Sequence, residues 1–168
     1  MTLEQLNDLS ASAAQAEFLK CCGSRVWAQA MAEARPFANR EQAFARAEGV
    51  AALLRQEDWL EAFRAHPKIG EKKAAAGQSE QEKNWSAQEQ SGLAAASSDA
   101  VAQLAERNRE YQDRFGFIFI VCASGKSSEE MLTILNDRLN NGPHAELAVA
   151  AGEQRKITRL RLEKLLNQ

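Results

Sequence analysis

Cysteine and histidine are scarce in this chain: 168 residues carry three cysteines and two histidines, namely Cys21, Cys22, Cys122, His66 and His144. An odd cysteine count with one adjacent pair is poor material for a disulfide framework. Neither a His-x-x-x-His nor a Cys-x-x-Cys spacing occurs, so the common zinc patterns are missing. Reduced thiols and no metal are expected. Long apolar runs are missing too, since none approaches the roughly 20 residues that span a bilayer. The net charge is −2 and the pI near 5.8, which leaves no basic excess to suggest nucleic acid or an anionic membrane as partner. The opening MTLEQLNDLS lacks the basic and apolar regions of a signal peptide, and the closing LEKLLNQ lacks a peroxisomal Ser-Lys-Leu. A cytoplasmic location is therefore expected. Repeats, low-complexity tracts and linkers are absent as well. With 45% hydrophobic and 26% charged residues, the composition suits one globular domain over 1–168 with a sizeable core.

What is present is mostly helix. Thr2 and Gln5 form a capping box for a first short helix, with Leu6 and Leu9 inward. A second helix over Ala13–Lys20 should stop at Cys22-Gly23-Ser24, where Gly23 can take the left-handed cap conformation. Ser24 then caps Val26–Ala34, which Arg35-Pro36-Phe37 ends. From Arg40 to Glu57, Phe44, Ala47, Val50, Ala51 and Leu54 share one face. Trp59, Leu60, Ala62 and Phe63 mark a further amphipathic helix, broken by His66-Pro67 because proline disfavours the α conformation before it. Lys68-Ile69-Gly70 reads as a turn, followed by a polar run through Gly77 and a new helix from about Ser86. Helices over Ser98–Arg114, Met131–Leu139 and Ala145–Leu166 complete the pattern, the second capped by Ser127 and Glu130. Phe115–Ala123, FGFIFIVCA, is β-like, yet no second strand exists to pair with it. The expectation is an all-α bundle of about eight to nine helices with one extended buried segment at 115–123.

Several side chains could do chemistry. His66 sits on a proline turn at a helix C-terminus, and histidine titrates near neutrality. The bland alternative is a structural histidine. Ser86 and Glu89 match a Ser-x-x-Glu capping box, and a helix N-terminus there would offer N–H donors to an anionic ligand. The free N–H and C=O groups of the 115–123 segment could likewise serve a ligand, while plain core remains an equal reading for any one side chain. On the last helix, Leu147, Ala150, Ala151, Gln154, Ile157, Thr158, Leu162 and Leu165 share a largely apolar face with Arg161 in its middle. A charge there needs an acidic partner or an anionic ligand. Cys21 and Cys22 read as small packing residues, and His144 as a solvent-facing residue at a helix start.

Two words in order, HPKIG at 66–70 and SAQEQSGL at 86–93, together with CCGS, Trp27, RPF, FGF-x-F and Ile-x-x-Leu-Arg-Leu at 157–162, resemble the 2-oxo-4-hydroxy-4-carboxy-5-ureidoimidazoline (OHCU) decarboxylases of urate breakdown. The resemblance spans nearly the whole chain. It implies an all-α homodimer without metal or organic cofactor, acting on a small-molecule substrate, with urate oxidase and hydroxyisourate hydrolase as the enzymes of the preceding steps and candidate neighbours. The implied reaction is a carboxy-lyase step that yields (S)-allantoin and carbon dioxide. It further implies His66 and Glu89 as catalytic residues. Pro67, Ser86, Gln90, Arg161 and the wall of Phe119, Ile120, Val121, Cys122 and Ala123 would bind substrate. Two other classes compete on the residues alone. One is a helical interaction module in which His66-Pro67 is only a turn and Ser86/Glu89 only a cap; the other is a hydrolase in which His66 activates water.

Overall fold

The computed structural model describes residues 1–69, 77–93 and 98–167. The expected turn at Gly70 and the polar residues up to Gly77 lie outside the described residues. Nine α-helices appear among those described: α1 (Leu3–Asp8), α2 (Ala11–Cys21), α3 (Arg25–Glu33), α4 (Arg40–Ala51), α5 (Gln56–Arg64), α6 (Glu80–Glu89), α7 (Ser98–Phe115), α8 (Ser128–Arg138) and α9 (Pro143–Leu165), with a 3-10 turn at Ser91–Leu93. The all-α expectation holds; the segment expected over 115–123 is shorter, because α7 runs to Phe115 and Gly116 follows at φ 78, and 118–123 has no regular secondary structure. None of these helices is long and apolar enough to cross a membrane.

The chain forms two compact units, one of Met1–Ala62 with Arg155–Gln168, the other of Phe63–Gln154. In the first, local capping chemistry sets the helix starts. Thr2 and Gln5 form the expected capping box, and the hydroxyls of Ser10 and Ser24 accept from Ala13 N and Trp27 N. The carbonyls left over at the end of α1 go to one guanidinium: Arg35 donates to Leu6 O at 2.5 Å, Asn7 O at 3.1 Å and Leu9 O at 2.9 Å. Phe18 packs edge-on against Trp27 and Phe37 at 6.0 and 6.4 Å between ring centroids. Cys21 and Cys22 are buried and free, as packing residues should be.

Two expectations fail in this unit. Gly23 does not adopt a left-handed conformation. Instead Cys22 turns extended, at φ −141 and ψ 120, while its N–H still bonds Phe18 O, and the chain runs straight into the Ser24 cap. The helix expected to run from Arg40 to Glu57 is shorter, and the further helix expected around Trp59–Phe63 begins before Trp59. The first ends at Ala51, and the second starts at Gln56, where the Asp58 carboxylate accepts from Arg55 N at 2.9 Å and satisfies a donor that a continuous helix would have used itself.

The second unit is built around Leu104 and Tyr111 of α7, Met131 and Leu135 of α8, and Phe119, Val121 and Ala123 of the extended segment, with Ile69 and Leu139 closing the core. Tyr111 stands edge-on to Phe119 at 5.4 Å. Ser127 and Glu130 form the expected capping box of α8.

Candidate active site

His66 lies two residues beyond the end of α5, and its N–H still bonds Phe63 O at 3.2 Å. Pro67 stops the helix there, as its geometry requires. Three neutral amides brace the turn. Gln78 Nε2 donates to Ala65 O at 2.9 Å, and the buried Asn108 of α7 donates to Ile69 O at 2.9 Å. Gln154 of α9, 0% exposed, brings its Oε1 to 2.8 Å from His66 Nε2. Asn108 and Gln154 are far from His66 in sequence, so tertiary structure helps to hold the turn.

The helix expected from Ser86 starts earlier. α6 begins at Glu80, capped by Ser79, whose hydroxyl accepts from Glu82 N while the Glu82 carboxylate accepts from Ser79 N at 2.7 Å. Ser86 and Glu89 are therefore not a capping box. They lie one turn apart on the inward side of α6, 6% and 7% exposed, beside Trp85, and Gln90 is the C-cap residue. The expected N-terminal donors at Ser86 are absent because this is the other end of the helix. A helix starting at Glu80 puts Trp85, Ser86 and Glu89 on one face, which a start at Ser86 would not. Gly92 then meets a tight approach, since a Cβ there would stand 2.0 Å from Lys126 O. The glycine of the SGL word is thus required by packing.

The extended segment is buried from Phe119 to Ala123, and side chains take the place of a partner strand for several of its backbone groups. Cys122 N donates to Glu153 Oε2 at 2.7 Å, Cys122 O accepts from Lys126 Nζ at 2.8 Å, and Ile120 O accepts from Arg138 Nη1 at 2.6 Å. The Cys122 N–H is consequently committed within the protein, and the two carbonyls each have one lone pair in use, which narrows the earlier expectation for this wall. The Cys122 thiol is pushed above its ordinary pKa, first by burial and then by the Glu153 and Glu89 carboxylates, with the Lys126 ammonium opposing. Behind the wall, Arg138 packs over the Phe119 ring at 4.7 Å and donates through Nε to Glu146 Oε1 at 2.7 Å. Glu146 also accepts from the Tyr111 hydroxyl and from Asn141 Nδ2.

Of the residues singled out in the sequence, His66, Pro67, Ser86, Glu89, Gln90 and Phe119–Ala123 all belong to the second unit. Two bonds from consecutive residues of α9 reach into it: Gln154 meets His66, and Glu153 takes the Cys122 N–H. Arg161 belongs to the first unit. It is 3% exposed and donates to Lys20 O at 3.3 Å, and its charge is the largest influence opposing the burial that pushes up the Cys21 thiol. Gln154, Glu153, Asn108 and Lys126 were not identified from the sequence. Gln154 and Asn108 did leave a signal, because each is a polar residue on an otherwise apolar helical stripe, and such a residue needs a partner. An imidazole on a braced turn, an inward carboxylate and an apolar wall are the parts for proton transfer to a small ligand.

A family model described as OHCU decarboxylase matches residues 7–163. The uric acid degradation bifunctional protein of Arabidopsis thaliana is 39% identical over 151 residues, covering 90% of this chain and 47% of that protein. The bifunctional protein of Bacillus sp. is 27% identical, covering all of this chain and 33% of its own length. The chain therefore spans half or less of these two relatives. The 2-oxo-4-hydroxy-4-carboxy-5-ureidoimidazoline decarboxylase of Amia calva is 31% identical over 171 residues, with 99% of this chain and 95% of that protein covered. Among solved structures, an OHCU decarboxylase crystallised in the presence of (S)-allantoin superposes with a TM-score of 0.79 at 40% identity, covering 90% of this chain and 98% of the other.

Proposed function

The chain belongs to the OHCU decarboxylase family, and from that membership we propose that it converts 2-oxo-4-hydroxy-4-carboxy-5-ureidoimidazoline to (S)-allantoin and carbon dioxide. One observation carries the reading: the Ser86-x-x-Glu89-Gln90 word sits on the inward end of α6 while Ser79 and Glu82 do the capping. A buried carboxylate on the inward face of α6 supports a ligand site over the interaction module. The solved relative that was crystallised with (S)-allantoin supports the choice of ligand.

The reaction asks little of a cofactor. The leaving carboxylate is attached to a carbon next to a ring C=N, which takes up the electron pair as carbon dioxide departs. The protein must then orient the substrate, stabilise charge in the ring and deliver one proton to one face. We assign the proton to His66 and the orientation of the substrate hydroxyl or of the imidazole to Glu89. Pro67, Ser86 and Gln90 shape the pocket. Phe119, Ile120, Val121, Cys122 and Ala123 form its wall, through backbone groups other than those already bonded within the protein. Arg161, with its planar fork, suits ring and ureido oxygens. A homodimer of single-domain chains in the cytoplasm, receiving substrate from the urate oxidase and hydroxyisourate hydrolase steps, completes the proposal.

The substrate decays spontaneously to racemic allantoin, so the test reads chirality. With substrate generated in situ from urate by the two upstream enzymes, the protein should give a fast circular dichroism signal of (S)-allantoin. His66→Ala should lower that rate by about 10²- to 10⁴-fold, the usual cost of losing a positioned acid. Slow racemic decay with folded wild-type protein would overturn the assignment, and ammonia in place of carbon dioxide would point to hydrolysis.

A further inference from the structure

The contact that the sequence least announced is the one between His66 and Gln154, 88 residues apart, at 2.8 Å. We propose that Gln154 is a positioning residue that holds His66 in the Nε2–H tautomer. The inference rests on the reading of His66 as proton donor and extends it to the residue that aims the ring.

The chemistry of the pair decides the direction of the bond. An amide oxygen only accepts, so with Gln154 Oε1 facing the ring, Nε2 must carry the proton. In the neutral imidazole the lone pair is then on Nδ1. Proton uptake accordingly occurs at Nδ1, and the imidazolium so formed returns that proton. This bond favours one tautomer and one ring orientation, the role that a carboxylate plays toward histidine in hydrolytic triads.

The neighbouring residue strengthens the argument. Glu153 and Gln154 are consecutive on α9, one acidic and one neutral. The acidic one turns to Cys122 N at 2.7 Å, and the neutral one meets the histidine. Gln154 is 0% exposed, so water does not compete for its oxygen. Gln78 and Asn108 secure the backbone on either side of His66 but touch Ala65 and Ile69, not the ring. Gln154 of α9 meets the ring itself.

The test is long-range ¹H–¹⁵N correlation on uniformly labelled protein without substrate, at a pH where imidazoles are neutral. With two histidines in the chain, and His144 exposed, the spectrum contains its own reference. His66 should show one protonated Nε2 with its Hε2 signal protected from exchange, while His144 shows averaged, exchanging nitrogens. Gln154→Met, close in size but without the amide acceptor, should lose the protected Hε2 and move the His66 nitrogens toward the His144 values. Gln154→Glu, which keeps an acceptor, should retain the Nε2–H pattern. In the allantoin assay Gln154→Met should lower kcat by about ten- to a hundredfold, as for other partners that orient a histidine, with KM little changed. An Nδ1–H tautomer in the wild type, or an unchanged His66 pattern in folded Gln154→Met, would overturn the inference. Because the spectra need no substrate, a wild type that shows the pinned tautomer but makes no chiral allantoin would overturn the decarboxylase reading alone.

Discussion

Replacing Glu146 by leucine should be among the most damaging single changes in the second unit. The carboxylate is 0% exposed. It accepts from Arg138 Nε at 2.7 Å, from Asn141 Nδ2 at 2.7 Å and from the Tyr111 hydroxyl. Arg138 in turn holds Ile120 O at 2.6 Å. Removing Glu146 leaves a guanidinium in the core with no counter-charge among these partners, and breaking one side of a buried pair costs about 3–5 kcal/mol. For a chain of this length that corresponds to a fall in Tm of about 6–20 °C. It is also a large share of the roughly 5–15 kcal/mol by which such proteins are stable. Much of the loss belongs to the stranded charge and not to the attraction itself. The double variant Arg138→Met/Glu146→Leu should therefore recover most of it, since well-packed apolar replacements of buried pairs are often neutral or better. The double variant should still lose activity, because Ile120 O loses the donor that steadies the wall. Urea unfolding of wild type, both single variants and the double variant gives the cycle. A Glu146→Leu protein within about 1 kcal/mol of wild type would refute the reasoning, since so small a loss would mean that Arg138 reaches water when its partner is gone.

Ser79 and Ser86 should separate stability from activity. Ser79→Ala removes a helix cap and should cost about 1 kcal/mol, or about 2–4 °C, with kcat intact. Ser86→Ala should lower activity with a smaller effect on Tm, and the reverse pattern would show that the helix starts at Ser86 after all. The buried thiols should make the first unit sensitive to high pH. Burial is the main cause raising Cys22 to about 11 and Cys21 further still, against the ordinary 9.0. Below pH 8 their contribution is constant. As pH rises through 9 the unfolded thiols ionise first, so stability falls toward pH 11. Urea midpoints between pH 8 and pH 10.5 should decline more steeply for wild type than for Cys21→Ala/Cys22→Ala; parallel declines would count against buried thiols.

Much of the architecture was legible because it is local. Thr2 with Gln5, Ser24, and Ser127 with Glu130 each announce a helix start within four residues, and Pro67 announces an end by sterics alone. FGFIFIVCA has no strand to pair with, so the absence of a strand follows from the rest of the chain, although its first residue closes α7. The face of α9 was equally readable, since the 3.6-residue period placed Gln154 and Arg161 inward before any packing was known. Local reading also has a limit, and Ser79-x-x-Glu82 and Ser86-x-x-Glu89 show it. Both words satisfy the same short-range rule, and only burial of Trp85, Ser86 and Glu89 on one face decides which of them caps.

The sequence by itself determined the helical class, several of the helix ends, the family words and the residue types a proton-transfer site needs. Tertiary structure alone decided that His66 meets Gln154, that Glu153 takes the Cys122 N–H, and that Arg138, Glu146 and Tyr111 close a buried network behind the wall. The physical reason is range. Capping, period and proline sterics act over a few residues and leave a pattern in the chain. A hydrogen bond between residues 88 apart leaves none beyond two polar side chains on apolar faces, whose need for a partner is visible but whose partner is not.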